Sequence, residues 1–245
     1  MPYICSSGGQ KYCDHNDNKM IEVKDATISK GGEQLFAHLS FVVNDGEMVA
    51  VTGTSGSGKT TLVKALMGFD KLKTGHISID GELLTPASAV EFRRFMSYVP
   101  QDLVLTAETV EEMMAMPFAL KANMAARRSR KTIEEEWAQL ALPGAIYDKR
   151  VSELSGGEKQ RVLLSICKLL KKPVVICDEP TSALDEDTTT LVIHYLRSMA
   201  DNGASVVVVT HDHTLAEKCD KVIDITHYNN NYCCPIKLNS SSVHV

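Results

Sequence analysis

The stretch Gly53-Thr54-Ser55-Gly56-Ser57-Gly58-Lys59-Thr60-Thr61 carries the residue types needed to hold a phosphate chain. Glycines let a loop wrap an anion in dihedrals that a side chain would forbid. The loop's backbone N–H groups, and the start of a helix after it, then face the phosphates. Lys59 is spaced to reach the β- and γ-phosphates, and the Thr60 hydroxyl to ligate Mg²⁺. The flanks fit this reading. The apolar residues 48–51 read as a buried strand and residues 62–67 as a helix. A Gly/Ser-rich surface loop needs neither flank, whereas strand, G-x-x-x-x-G-K-T and helix is the complete P-loop context. The loop by itself implies binding of a nucleoside triphosphate and no particular use of it.

Two further groups supply chemistry. Val174-Val175-Ile176-Cys177-Asp178-Glu179 is an apolar strand that ends in two acids. Beside a P-loop, Asp178 sits near the metal as a Walker-B aspartate does. Glu179 is then free to orient and deprotonate an attacking water. Leu154-Ser155-Gly156-Gly157-Glu158-Lys159-Gln160-Arg161 opens a long helix, with Ser155 as N-cap and two glycines behind it. That is a second exposed helix N-terminus able to meet an anion.

The elements that position these groups follow from hydropathy. Ile21, Val23 and Ile28 suggest a strand broken by Lys30-Gly31-Gly32, and residues 39–43 a second one ended at Asn44-Asp45-Gly46. Strands are expected at 48–51, 76–79, 96–99, 174–177, 205–210 and 222–225, and helices at 62–67, 88–95, 133–140, 155–171, 188–199 and 215–219. Residues 109–142 change to helical spacing, with Val110, Met113, Met114 and Phe118 on one face and Pro117 interrupting. The methionines read as core, and the cluster Arg127, Arg128, Arg130 and Lys131 as a solvated face, with contact to lipid headgroups as the other reading. Strands alternating with helices imply an α/β fold with a mainly parallel sheet, a small antiparallel sheet at the start and an inserted helical subdomain.

Bulk properties narrow the class. A chain of 245 residues, 44% hydrophobic, can bury a large core. The net charge of −5 provides no basic field, so no nucleic-acid partner is expected. No stretch reaches the length of a membrane span and no signal peptide is visible, so a cytoplasmic location is expected. Cys167, Cys177 and Cys219 read as reduced core thiols. Cys5, Cys13, Cys233 and Cys234 fall in polar tails, where a metal site with His15 would match no known ligand spacing. The expected organisation is a disordered polar tail at 1–19, a domain at 20–227 with its helical subdomain at about 101–158, and a polar tail at 228–245.

Over residues 20 to 226 the chain resembles the nucleotide-binding domains of ABC transporters. Leu154 to Arg161 matches that family's L-S-G-G-x-x-Q-R signature. Gln101 matches the Q-loop, Ser182-Ala183-Leu184-Asp185 the D-loop, and His211 the switch histidine. The resemblance implies a P-loop NTPase (RecA-like) core with the two subdomains above. It implies ATP and Mg²⁺ as cofactors, with Thr60, Gln101 and Asp178 at the metal and Glu179, His211 and Gln101 in catalysis. The nucleotide would lie on Gly53 to Thr61 and be covered by Ser155, Gly156 and Gly157 of a second subunit, with Asp185 touching that subunit. A homodimer of the ATPase would drive a separate integral membrane permease of the export type from the cytoplasmic face of the inner membrane, with membrane contact only through that permease. The family's base-stacking aromatic has no match between Ile28 and Gln34, and Phe36 is expected in the core.

The short helical insert looks like export-type or lipoprotein-release-type cassettes. Leu140-Ala141-Leu142-Pro143 and Thr181 to Glu186 are similar to a small cassette assigned to bacterial iron export. The alternative is a soluble ABC ATPase of the iron–sulfur cluster assembly type, although its acidic stretch differs from D-E-P-T-S-A-L-D. A P-loop kinase would leave Leu154 to Arg161 without a role, and a DNA-repair ATPase would need a long coiled-coil insertion.

Overall fold

A computed structural model of the chain describes residues 19–31, 33–102 and 106–228. The proposed tails therefore lie outside the described residues, apart from Lys19 and Tyr228, as do Cys5, Cys13, His15, Cys233 and Cys234.

Two long strands, β1 (Lys19–Lys30) and β2 (Glu33–Asn44), pair antiparallel about a turn at Gly31. β1 pairs on its other side with β4 (Thr74–Ile79), which pairs with β5 (Glu82–Leu83). This four-stranded sheet has the order β2-β1-β4-β5. At Gly75 the backbones come so close that an added Cβ would lie 2.3 Å from the Asp25 carbonyl oxygen.

The second sheet is parallel and has the order β6-β7-β8-β3-β9. Its strands are β3 (Met48–Thr52), β6 (Met96–Val99), β7 (Val174–Asp178), β8 (Ser205–Val209) and β9 (Lys221–Asp224). β7 and β8 are buried at every position, as near-continuous apolar runs require when both faces are covered. Alternate residues feed separate cores. Val175 and Cys177 join Trp137, Leu164 and Leu196 on the helical side. Val174 and Ile176 join Ile21, Phe41 and Leu62 on the side of the antiparallel sheet.

The helices are α1 (Lys59–Leu66), α2 (Ala89–Phe92), α3 (Val110–Ala119), α4 (Arg130–Ala138), α5 (Gly156–Leu170), α6 (Glu186–Asp201) and α7 (His213–Glu217). Side chains of Thr109, Ser129, Ser155, Asp185 and Asp212 cap the last five of these by accepting backbone N–H bonds. The Trp137 indole donates to Ser165 Oγ at 2.9 Å, which ties α4 to α5 through a fully buried contact.

Several boundaries differ from expectation. β2 is longer than residues 39–43: it opens on the exposed polar Glu33 and Gln34, and exposed His38 separates the buried Phe36 and Ala37 from the apolar run that follows. α1 begins at Lys59, three residues before the apolar run. Pro117 sits inside the last turn of α3 instead of interrupting it, and Asn123 Nδ2 donates to the Pro117 carbonyl at 2.9 Å. Ile225 belongs to a short 3-10 turn, Ile225–Tyr228, and not to the last strand. Met113, Met114 and the three described cysteines are buried, as expected. Burial pushes the Cys167 and Cys219 thiols up to about 12, so neither is ionised at neutral pH.

Candidate active site

The P-loop leaves the C-terminal end of β3 and turns on three residues with positive φ: Gly53, Gly56 and Gly58. A Cβ at Gly53 would lie 2.7 Å from Ser57 Oγ, so the loop closes on itself only with glycine there. Gly58 is the N-cap of α1, and that helix has no side-chain cap and no acid in its first turn. Its free N–H groups and positive dipole end are left for an anion. Lys59 Nζ donates to the carbonyls of Gly53 at 2.7 Å and Thr54 at 3.0 Å, bracing the loop from inside. Ser57 Oγ is buried and makes no hydrogen bond, which leaves a donor within the loop. Ser55 and Gly56 form the exposed crest, and Thr61 lies half-buried in the first turn of α1.

Asp178 and Glu179 follow at the end of β7. Parallel pairing of β7 with β8, and of β8 with β3, brings the ends of all three strands to one edge. Thr60 Oγ1 donates to Asp178 Oδ2 at 3.2 Å, bringing together two of the three residues read as metal ligands. Burial raises the Asp178 carboxyl above the ordinary value, the hydrogen bond from Thr60 opposes this, and the neighbouring Glu179 adds to it. Glu179 adopts left-handed backbone, φ 53, which turns the chain sharply out of the strand. Its N–H donates to the Val209 carbonyl at 2.8 Å. Its own carbonyl accepts from Gln160 Nε2 at 2.8 Å and Ser182 Oγ at 3.1 Å. The Glu179 carboxylate is buried and meets exposed His211, Oε2 to Nδ1, at 2.8 Å.

Gln101 follows β6 at the same edge, where Val99 pairs in register with Cys177. It is exposed and hydrogen-bonds neither Thr60 nor Asp178. Ser155 and Glu158 form a reciprocal capping box at the start of α5, Ser155 Oγ accepting from Glu158 N–H at 3.1 Å and Glu158 accepting from Ser155 N–H at 2.7 Å. The backbone N–H of Ser155 holds the Glu158 carboxyl below its usual range. Gly157 packs on the D-loop, where an added Cβ would come within 2.8 Å of Leu184. Asp185 caps α6, and the N–H of Thr188 lowers its carboxyl pKa. No hydrogen bond joins Ser155, Gly156, Gly157 or Asp185 to the P-loop. The chain thus holds two clusters: P-loop, acids and His211 in one, and α5 N-terminus with D-loop in the other.

Sequence reasoning misses Thr226, whose Oγ1 accepts from the Thr54 N–H at 3.1 Å and fixes the crest of the P-loop. It lies far along the chain in a segment without periodicity, so no local signal identifies it. Gln160 is visible only as a motif position, and its burial beneath Glu179 is a finding of the fold. Arg161 Nη1 donates to the Leu140 carbonyl at 2.8 Å and so joins α5 to the helical subdomain. Phe36 is fully buried, as expected, and offers no face to a base.

The family model described as ABC transporter matches residues 36–182, more than half of the chain. A probable ABC transporter ATP-binding/permease protein of Haemophilus influenzae is 33% identical over 86% of this chain, which spans 39% of that protein's length. The bacitracin export ATP-binding protein BceA of Halalkalibacterium halodurans is 32% identical over 79% of this chain and 78% of its own. The dimeric post-hydrolysis structure of the ATP-binding cassette MJ0796 bound to ADP and Pi superposes with a TM-score of 0.72, at 27% identity, covering 84% of this chain and 94% of the other. The expected P-loop NTPase fold and its subdomains are present, and this chain belongs to the ABC transporter family as an ATP-binding domain.

Proposed function

We propose that the chain is the ATP-hydrolysing subunit that powers a separate export permease. The observation that carries this reading is the buried Glu179 carboxylate, one residue past the Asp178–Thr60 contact and 2.8 Å from His211. There it can take a proton from water aimed at a γ-phosphate held by Lys59 and the P-loop amides. Mg²⁺ suits the Thr60 hydroxyl and the Asp178 carboxylate, because both are hard oxygen donors. Among the described residues no group of three or more His, Cys, Asp or Glu side chains could hold a metal, so the phosphates would complete its shell. When bound it would neutralise charge on the phosphates. Gln101, exposed at the same edge, would join this site.

Only half of a closed site is present in one chain. Ser155, Gly156 and Gly157 make no bond to the P-loop, and the helix start exposed at Ser155 and Gly156 is suited to the outer face of a γ-phosphate. Two copies related by a twofold axis would complete two sites, with Asp185 at the junction. ATP would then favour the closed pair and hydrolysis release it.

Among the described residues no helix is long and apolar enough to cross a membrane, so the span would come from the permease. A groove of about 510 Å³ beside β6 and α3 is suited to receive it, and exposed Val90, Met116 and Leu120 line it together with Arg93. The subunit would work on the cytoplasmic face of the membrane. The export names of similar proteins favour the transporter reading, and the iron–sulfur assembly alternative gains nothing from them. The test is Glu179→Gln, which is expected to abolish phosphate release while trapping an ATP-bound dimer by size-exclusion chromatography. Unchanged turnover in that variant would sink the proposal.

A further inference from the structure

Between Glu112 and Glu134 the chain has no acidic residue, yet it carries Lys121, Arg127, Arg128, Arg130 and Lys131. The protein as a whole is acidic, so this is a local reversal of charge. The structure divides these cations in two. Arg130 is neutralised by Asp148 and Glu134 at 2.7 and 2.8 Å, and Lys131 faces Glu135 at 3.9 Å. Lys121, Arg127 and Arg128 form no ion pair among the described residues. Arg128 only donates to the carbonyl of Arg127, at 3.3 Å. The other nearby charges, Glu111 and Glu112, lie in the first turn of α3, at the far end of that helix from Lys121, although Glu111 and Asp148 act on the same Tyr147 side chain as Arg127 without an ion pair to it.

The same segment exposes apolar side chains. Leu120 is 61% exposed and Met124 is 62% exposed, four residues apart and interleaved with the unpaired cations. Cations alone would read as a solvated face. Cations around protruding apolar tips match a headgroup layer, where phosphates meet the charges and the tips enter the acyl boundary. The segment also forms one wall of the groove proposed for the permease, through Met116, Leu120 and Asn123. A permease seated there would bring this wall toward the bilayer.

We propose that residues 120–128 form a direct contact with anionic lipid headgroups, through Lys121, Arg127, Arg128 and Met124. Its orientation toward the bilayer rests on the proposed permease docking, whereas the binding itself does not. The contact would supplement attachment through the permease and hold the ATPase near the membrane when the two subunits separate.

The test is flotation of the full chain with vesicles of phosphatidylcholine alone and of phosphatidylcholine mixed with phosphatidylglycerol, without any permease. Binding is expected only to the mixed vesicles, falling as salt rises. Each neutralisation among Lys121→Gln, Arg127→Gln and Arg128→Gln is expected to weaken it about fivefold, and the triple variant about a hundredfold. Arg127→Lys with Arg128→Lys should restore binding, and Met124→Ser should weaken it at constant charge. Equal binding to both vesicle types would overturn the inference, as would triple-variant binding like that of the wild type. So would full competition by inorganic phosphate, which would mark a soluble-anion site. ATP turnover measured on the same samples separates the two proposals. Lost lipid selectivity with intact turnover removes only this contact, and absent turnover in the wild type removes the ATPase reading.

Discussion

Glu179 Oε2 lies 2.8 Å from His211 Nδ1, and the two are brought together by adjacent parallel strands, β7 and β8. The His211 N–H also approaches the same oxygen, at 3.4 Å. Removal of the ring leaves a buried carboxylate without its side-chain partner and without orientation toward water. His211→Ala is expected to lower kcat about a hundredfold or more, with a smaller effect on KM. Steady-state phosphate release checks this, and near-normal kcat would refute it. Little loss of stability is expected, because His211 is itself 70% exposed.

Asp178 carries a charge that the nucleotide-free fold resists. Its carboxyl is raised by burial, so the folded chain holds that proton more tightly than the unfolded chain does. The sign follows: the site contributes stability below the ordinary carboxylate range, and loses it as pH climbs through the raised value. Asp178→Asn is expected to raise the nucleotide-free melting temperature at neutral pH by about 2 °C. The same change should weaken Mg–ATP binding at least about tenfold. Calorimetry with and without Mg–ATP reads both effects, and a lowered nucleotide-free midpoint would refute the first.

Thr226 holds the P-loop crest through a single bond from the Thr54 N–H at 3.1 Å. Thr226→Val preserves shape and removes the acceptor. The Thr54 amide is exposed and can turn to water, so the cost falls on loop order and not on the fold. KM for ATP is expected to rise about threefold with kcat unchanged. A kinetic titration decides it, and an unchanged KM would show that the bond is incidental.

Asp220 fastens the start of β3 by accepting the Met48 N–H at 2.7 Å and Arg197 at 2.9 Å. Burial pushes its carboxyl up, but the bonds from Arg197 and Met48 outweigh this and leave it below 3.8. The associated stability is complete above that value and is lost as pH falls through the lower folded-state pKa. The pair is partly exposed, so Asp220→Asn is expected to cost only about 1 kcal/mol at neutral pH, or about 3 °C. The gap between variant and wild type should narrow as pH falls below 3.8 and close only once pH passes the lower folded-state value. A gap that persists in acid would assign the effect to packing.

The P-loop, the paired acids and the α5 cap were legible because their chemistry allows few residue types at each position. The parallel strands were equally plain, since Val206 to Val209 are covered on both sides and need no alternation. Helix starts were less legible. Lys59, Arg130 and Glu186 open their helices with polar first turns, so the apolar pattern begins later than the hydrogen bonding. β5 escaped because two exposed residues, Glu82 and Leu83, carry no pattern. The contacts that aim the site, Gln160 to the Glu179 carbonyl and Thr226 to Thr54, depend on chain segments distant in sequence and meet only after folding.

The alternation along β7 gives the strand a mechanical character. Val175 and Cys177 are gripped by the helical half, Val174 and Ile176 by the antiparallel half, and Asp178 stands at the tip. The strand is a shared wall between two separately packed rooms. A displacement of α5, which packs on the side of Val175 and Cys177, reaches Asp178 through this wall and is resisted on the other side by Val174 and Ile176. The acids at the tip of β7 are therefore held from both rooms at once, and neither half can reposition them alone.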